Sequence, residues 1–130
     1  MTFRALDEAA GVIWTTEASE AALPLPQWYV CVRDTPIHEL SVRDLCIACR
    51  QSIHLDEVVP AALNRLAEDP LAGHKYDGEL LAAMRSIEPR FWNSHREDAR
   101  RLRSIFVEAM GRMDEDQRQD AVALVRDIRE

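Results

Sequence analysis

Ser41-Val42-Arg43-Asp44-Leu45-Cys46-Ile47-Ala48-Cys49-Arg50-Gln51-Ser52-Ile53 decides the fold class. Val42, Leu45, Cys46, Cys49 and Ile53 follow the i, i+3, i+4, i+7, i+11 rhythm of one buried helix face. Arg43, Asp44, Arg50 and Gln51 fall on the sides that meet water. Ser41 is a good N-cap, and the Asp44 carboxylate suits the positive end of a helix.

The same rhythm continues toward the C-terminus. Asp56 to Glu68 reads as a second helix striped by Val59, Ala62, Leu63, Leu66 and Ala67, with Pro60 expected in its first turn and Pro70 stopping it. Asp77 is expected to cap a third, in which Leu80, Leu81, Met84 and Ile87 are the apolar positions. Ser94 and Glu97 form an S-x-x-E capping box. The long helix they open turns Ala99, Leu102, Ile105, Phe106, Ala109, Met110 and Met113 inward. A last helix runs from about Asp116 to Ile128, with Ala121, Val122, Leu124, Val125 and Ile128 apolar.

Toward the N-terminus the pattern weakens. Phe3 to Ala10 reads as a short helix with Phe3, Leu6 and Ala10 on one side and Gly11 at its end. Thr15 to Ala22 is small and polar, and Pro24 and Pro26 are expected to break any regular element. Trp28-Tyr29-Val30-Cys31-Val32 is too short for its period to decide between a strand, an extended segment and part of a helix. The expectation is an all-α, single-domain bundle of about five to seven short to medium helices. It takes in residues 1–130, of which 1–40 are less regular and 41–130 form the helical core.

Composition narrows the function. With 47% hydrophobic and 30% charged residues in 130, the chain can build a core without staples. No apolar run is long enough to span a membrane, and the acids Asp7 and Glu8 do not suit a signal peptide. The net charge of −7 argues against a general nucleic-acid binder, because phosphate contacts need clustered positive charge, and it suits a basic protein partner. Three cysteines cannot all pair within one chain, which points to free thiols in a reducing cytoplasm. Four glycines without a phosphate-loop spacing exclude the common nucleotide-binding motifs.

Few residues are marked for chemistry. Cys46 and Cys49 form a C-x-x-C that could ligate zinc together with Cys31 and His38 or His54, or act as a redox pair. Both also complete the apolar stripe set by Val42, Leu45 and Ile53, and core packing is the favoured reading. His95 and Asp98 are spaced to touch in a first helical turn. Arg96, Arg100, Arg101 and Arg103 make the one basic stripe, the basis of an alternative reading as a small helical nucleic-acid-binding regulator or adaptor. The more informative group is acidic. Asp56, Glu57, Glu68, Asp69, Asp77 and Glu79 lie at neighbouring helix ends and in the loop between them, with only Arg65 and Lys75 in opposition. Converging, they would form a negative rim able to attract a basic partner.

Residues 36–92 resemble a bacterial family, the immunity proteins of contact-dependent growth inhibition systems. The pieces in order are Pro36-Ile37, Leu40-Ser41, Asp44-Leu45, Gln51, Val58-Val59-Pro60-Ala61-Ala62-Leu63, Leu66, Asp69-Pro70-Leu71, Gly73, Tyr76, Gly78, Leu80-Leu81 and Trp92. The most specific is the D-P-L, G-x-x-Y-x-G-x-L-L run at 69–81. Where the family commonly has Ile-Gly-Gln this chain has Cys49-Arg50-Gln51, and its Tyr-Pro-Gly-Asp stands here as Tyr76-Asp77-Gly78-Glu79. The resemblance implies a cytoplasmic, non-enzymatic antidote without cofactors. It would form a tight heterodimer with the cognate toxin C-terminal domain, often a nuclease such as a tRNase, and block its active site or substrate access. The resemblance does not assign the toxin-contacting surface; on charge, the acidic group Asp56, Glu57, Glu68, Asp69, Asp77 and Glu79 is the expected one.

Overall fold

Helix starts in this chain are set by a few capping residues and by prolines. A computed structural model describes residues 1–11 and 24–127. The protein is all-α: eight α-helices and two short 3-10 turns, with no strand among the described residues. Its contacts divide it into two compact units, Met1–Leu40 and Ser41–Glu130. Thr15 to Ala22, Ile128 and Arg129 lie outside the described residues.

In the first unit, α1 spans Phe3–Ala9, opened by Thr2, whose side chain accepts from the Ala5 N–H at 3.1 Å. Gly11, at φ +74°, follows its end. The buried face holds Phe3 and Asp7; Leu6 is half-buried and Ala10 exposed, unlike the expected apolar side. α2 spans Pro24–Val32, so the prolines do not break the chain there and Trp28 to Val32 is helical. Both prolines fall in the first turn, where N–H groups have no intrahelical acceptor and a proline ring removes no bond. Phe3 stacks on Tyr29 with ring centroids 5.5 Å apart. The Tyr29 hydroxyl donates to Asp7 Oδ2 at 2.7 Å, satisfying a buried carboxylate. Burial, then that hydrogen bond, push the Tyr29 phenol well above its ordinary value. The 3-10 turn Ile37–Glu39 follows, tied back by the Ile37 N–H to the Met1 carbonyl at 2.9 Å.

The second unit begins as its sequence pattern requires. α3 spans Val42–Arg50, and the Ser41 side chain accepts from the Asp44 N–H at 3.1 Å. It ends in a Schellman turn: Ile53 N–H bonds the Ala48 carbonyl at 3.0 Å, Ser52 N–H bonds that of Cys49 at 3.3 Å, and Ser52 takes φ +54°. α4 spans Leu55–Glu68 and packs against both α3 and α7 (Arg96–Ala109). Two partners widen its buried face, so Val58 and Ala61 are buried with Val59, Ala62, Leu63 and Leu66, whereas Ala67 is exposed. Pro60 lies inside α4 rather than in its first turn. The bond it forgoes would have gone to the Asp56 carbonyl, in the exposed first turn where water can replace it.

Two further expected caps are corrected. α5 spans Glu79–Met84 and its N-cap is Gly78, at φ +85°, not Asp77, whose backbone carbonyl instead accepts from Gln117 Nε2 at 3.1 Å. α6 spans Pro89–Ser94 and starts on its proline, so Ser94 closes a helix rather than opening one. The Ser94 hydroxyl donates to the Arg90 carbonyl at 3.2 Å, and His95 stands at the N-cap of α7. A 3-10 turn, Met110–Arg112, then leads to α8, Glu115–Asp127. Asp114 and Gln117 cap α8 reciprocally, each side chain accepting the other's N–H, at 2.8 and 2.9 Å.

α5 packs against α3 and α8, and α6 against α7. The core contains Leu45, Leu63, Leu66, Leu80, Leu81, Met84, Trp92, Leu102 and Leu124, all fully buried. Each such side chain contributes about 1.5–3 kcal/mol relative to exposure.

Candidate functional site

The loop from Asp69 to Gly78 folds around a single carboxylate. Asp69 Oδ1 accepts from the Leu71 N–H at 3.0 Å, turning the chain after α4. Gly78 N–H bonds the Leu71 carbonyl at 2.8 Å, and Leu80 N–H that of Ala72 at 3.1 Å, closing the loop at its base. A Cβ on Gly73 would stand 1.9 Å from the Tyr76 carbonyl oxygen, so only glycine permits this approach. Inside, Glu79 Oε1 accepts the N–H groups of His74 and Lys75 at 2.9 and 2.8 Å, and Oε2 accepts from Arg50 Nη1 at 3.1 Å. Burial alone would raise the Glu79 carboxyl. The Lys75 and His74 N–H groups and the Arg50 guanidinium outweigh it and hold the group below its usual value.

Glu79 is therefore removed from the expected rim: it is 2% exposed and holds the loop together. Asp56, Glu57, Glu68, Asp69 and Asp77 are exposed. They do not form one rim. Asp56 and Glu57 stand in the first turn of α4, and Glu68 and Asp69 at its other end, about 18 Å away at 1.5 Å per residue. The Gly78–Leu71 bond brings Asp77 to the latter end, where Tyr76 is also half exposed.

Beside Asp56 lies a groove of about 440 Å³. Ser52 and Leu55 line it from the α3–α4 turn, and Glu88, Arg90, Phe91, Ser94 and His95 from α6 and the residues flanking it. Phe91 and His95 stack at 3.9 Å, nearly parallel. His95 Nδ1 lies 2.9 Å from the Phe91 carbonyl oxygen and Nε2 lies 2.7 Å from Asp56 Oδ1. Both ring nitrogens face oxygen atoms, which fixes the orientation of the ring. The His95 ring thus meets Asp56 rather than Asp98. Burial pushes the Asp98 carboxyl up, against the opposing pull of His95 and Arg101. Among the described residues, the only non-glycine positions with positive φ are Ser52 at +54° and His54 at +44°, in the turn that borders this groove.

A family model described as CDI immunity proteins matches residues 10–102. The chain belongs to this family. The matched segment contains the whole run from Pro36 to Trp92, in which Asp69, Gly73 and Gly78 shape the loop, and Leu80, Leu81 and Trp92 are fully buried. A search of curated proteins finds no match.

Of the remaining candidates in this CDI immunity protein, the C-x-x-C pair takes a structural position. Cys46 and Cys49 are buried in α3, and burial pushes their thiols up to about 11 and about 12, away from the reactive thiolate. Cys31 is exposed, all three are free, and no group of three or more metal-ligating side chains occurs among the described residues. Of the basic stripe, Arg96 and Arg100 are exposed and Arg103 is half-buried, while Arg101 donates to Asn64 Oδ1 at 2.5 Å and Arg100 lies 3.8 Å from Glu97. No helix among the described residues is long and apolar enough to cross a membrane.

Proposed function

We propose that this immunity protein neutralises a cognate CDI toxin C-terminal domain in the cytoplasm by forming a tight heterodimer, acting by binding rather than turnover. Both units, residues 1–130, serve this one immunity domain. The family match over residues 10–102 carries the reading. The toxin class that fits best is a nuclease, such as a tRNase, because a cleft that holds phosphate is basic and this chain carries a net charge of −7. The exposed carboxylates of Asp56, Glu57, Glu68, Asp69 and Asp77 support it: they attract a basic domain from a distance and favour it over neutral competitors.

Co-expression with the toxin domain encoded in the adjacent reading frame tests the proposal. Cells making both proteins are expected to grow, keep their tRNA intact and yield a co-purifying pair. Growth arrest despite abundant folded immunity protein contradicts the reading; protection with intact tRNA throughout, even when the toxin acts alone, removes the tRNase assignment.

A further inference from the structure

We infer that the groove beside Asp56 receives an arginine side chain of the protein partner. The inference rests on the toxin-binding reading above and names the chemistry of one of its contacts. Phe91 and His95, stacked on each other, line one side of it. The hydroxyls of Ser52 and Ser94 and the carboxylate of Glu88 line it with Arg90, and the Asp56 carboxylate stands next to it on His95. A guanidinium is a planar cation with donors along its edge and a weakly hydrated face that stacks on rings. It matches both features at once. A lysine ammonium has no plane to stack, an incoming carboxylate meets Glu88 in the groove and Asp56 beside it, and an apolar side chain leaves the acceptors without donors.

The groove is also prepared for its occupant. Both His95 nitrogens are engaged, which fixes the ring that supports Phe91. Ser52 and His54 hold left-handed backbone in the adjoining turn, a conformation that favours glycine, so the wall is set by the fold rather than by the ligand. Glu88 pairs with Arg90, but both side chains are largely exposed, at 62% and 86%. Such a pair is weak, and an arriving guanidinium can take the carboxylate while Arg90 turns to water.

The test uses the full chain and a catalytically inactive form of the toxin domain from the adjacent reading frame. Ser94→Trp fills the groove from an exposed position, and the double variant Asp56→Asn/Glu88→Gln removes the two carboxylates without changing the volume. Each is expected to weaken binding about tenfold or more, equivalent to about 1.4 kcal/mol, with the melting temperature unchanged. In double-mutant cycles against Arg→Ala changes in the toxin, one arginine is expected to lose its effect when the groove is filled. Wild-type binding that both groove variants retain, or binding that couples to no arginine, overturns this inference and leaves the toxin-binding reading intact. Absence of binding by the wild-type chain overturns the reading itself and this inference with it.

Discussion

At the C-terminal end of α4 the chain turns through residues 69–78 and closes on the buried Glu79 carboxylate, whereas at the N-terminal end Asp56 and Glu57 stand in water beside the Phe91–His95 groove. Both ends were written with the same residue type. The difference is in what converges on the oxygens. Two backbone N–H groups and a guanidinium meet Glu79, which makes its charge part of the architecture. Among the described residues Asp56 meets only His95, and it remains 76% exposed, so its charge still acts at a distance. A carboxylate is available to a partner where the fold leaves it hydrated.

Substitutions at the two ends sharpen that contrast. Glu79→Gln is expected to cost about 3 kcal/mol in urea unfolding, because Arg50 and two N–H groups lose a buried anion. The sign with pH follows from the lowered carboxyl. Its contribution is present above the unfolded value of about 4.3 and is lost as pH falls through the folded value, so Glu79→Gln flattens the acid limb of the stability curve. An unchanged acid limb would place that pH dependence elsewhere. Gly73→Ala follows, at about 2 kcal/mol, since the added Cβ forces the loop off the Tyr76 carbonyl. Ser52→Gly acts in the opposite direction, raising stability by about 0.5–1 kcal/mol by relieving the left-handed backbone. Asp56→Asn is expected to change stability least, by under about 1 kcal/mol as for other exposed pairs, while slowing association with the partner.

The sequence shows the helical class clearly because helical period and N-caps are local. Ser41 capping Asp44, and Leu45, Cys46 and Cys49 sharing a buried face, need only neighbours a turn away. Proline misleads when its position within the helix is unknown. Pro24 and Pro26 were expected to break structure and instead occupy a first turn, while Pro60 sits deeper than its usual place. Ser94 and Glu97 have the spacing of a capping box, but Pro89 starts a helix early enough to absorb Ser94. The Asp114–Gln117 box carries an equally local signal, an Asp three residues before a Gln, set among neighbouring acids that resemble it. The site was less legible. Six acids near helix ends look alike along the chain. Glu79 separates from the rest through the folded loop that aims the His74 and Lys75 N–H groups at it and through Arg50, 29 residues away, and the groove forms where α6 and the α3–α4 turn meet.

The measurement closest to the central claim is the association rate of the immunity protein with its toxin domain, followed by stopped flow across ionic strength. An acidic helical surface closing on a basic domain is expected to associate at about 10⁸ M⁻¹s⁻¹ at low salt. The rate should fall steeply as salt rises, and should fall again when Asp56, Glu57, Glu68 and Asp69 are reversed to lysine. A rate indifferent to both salt and charge reversal would contradict the account.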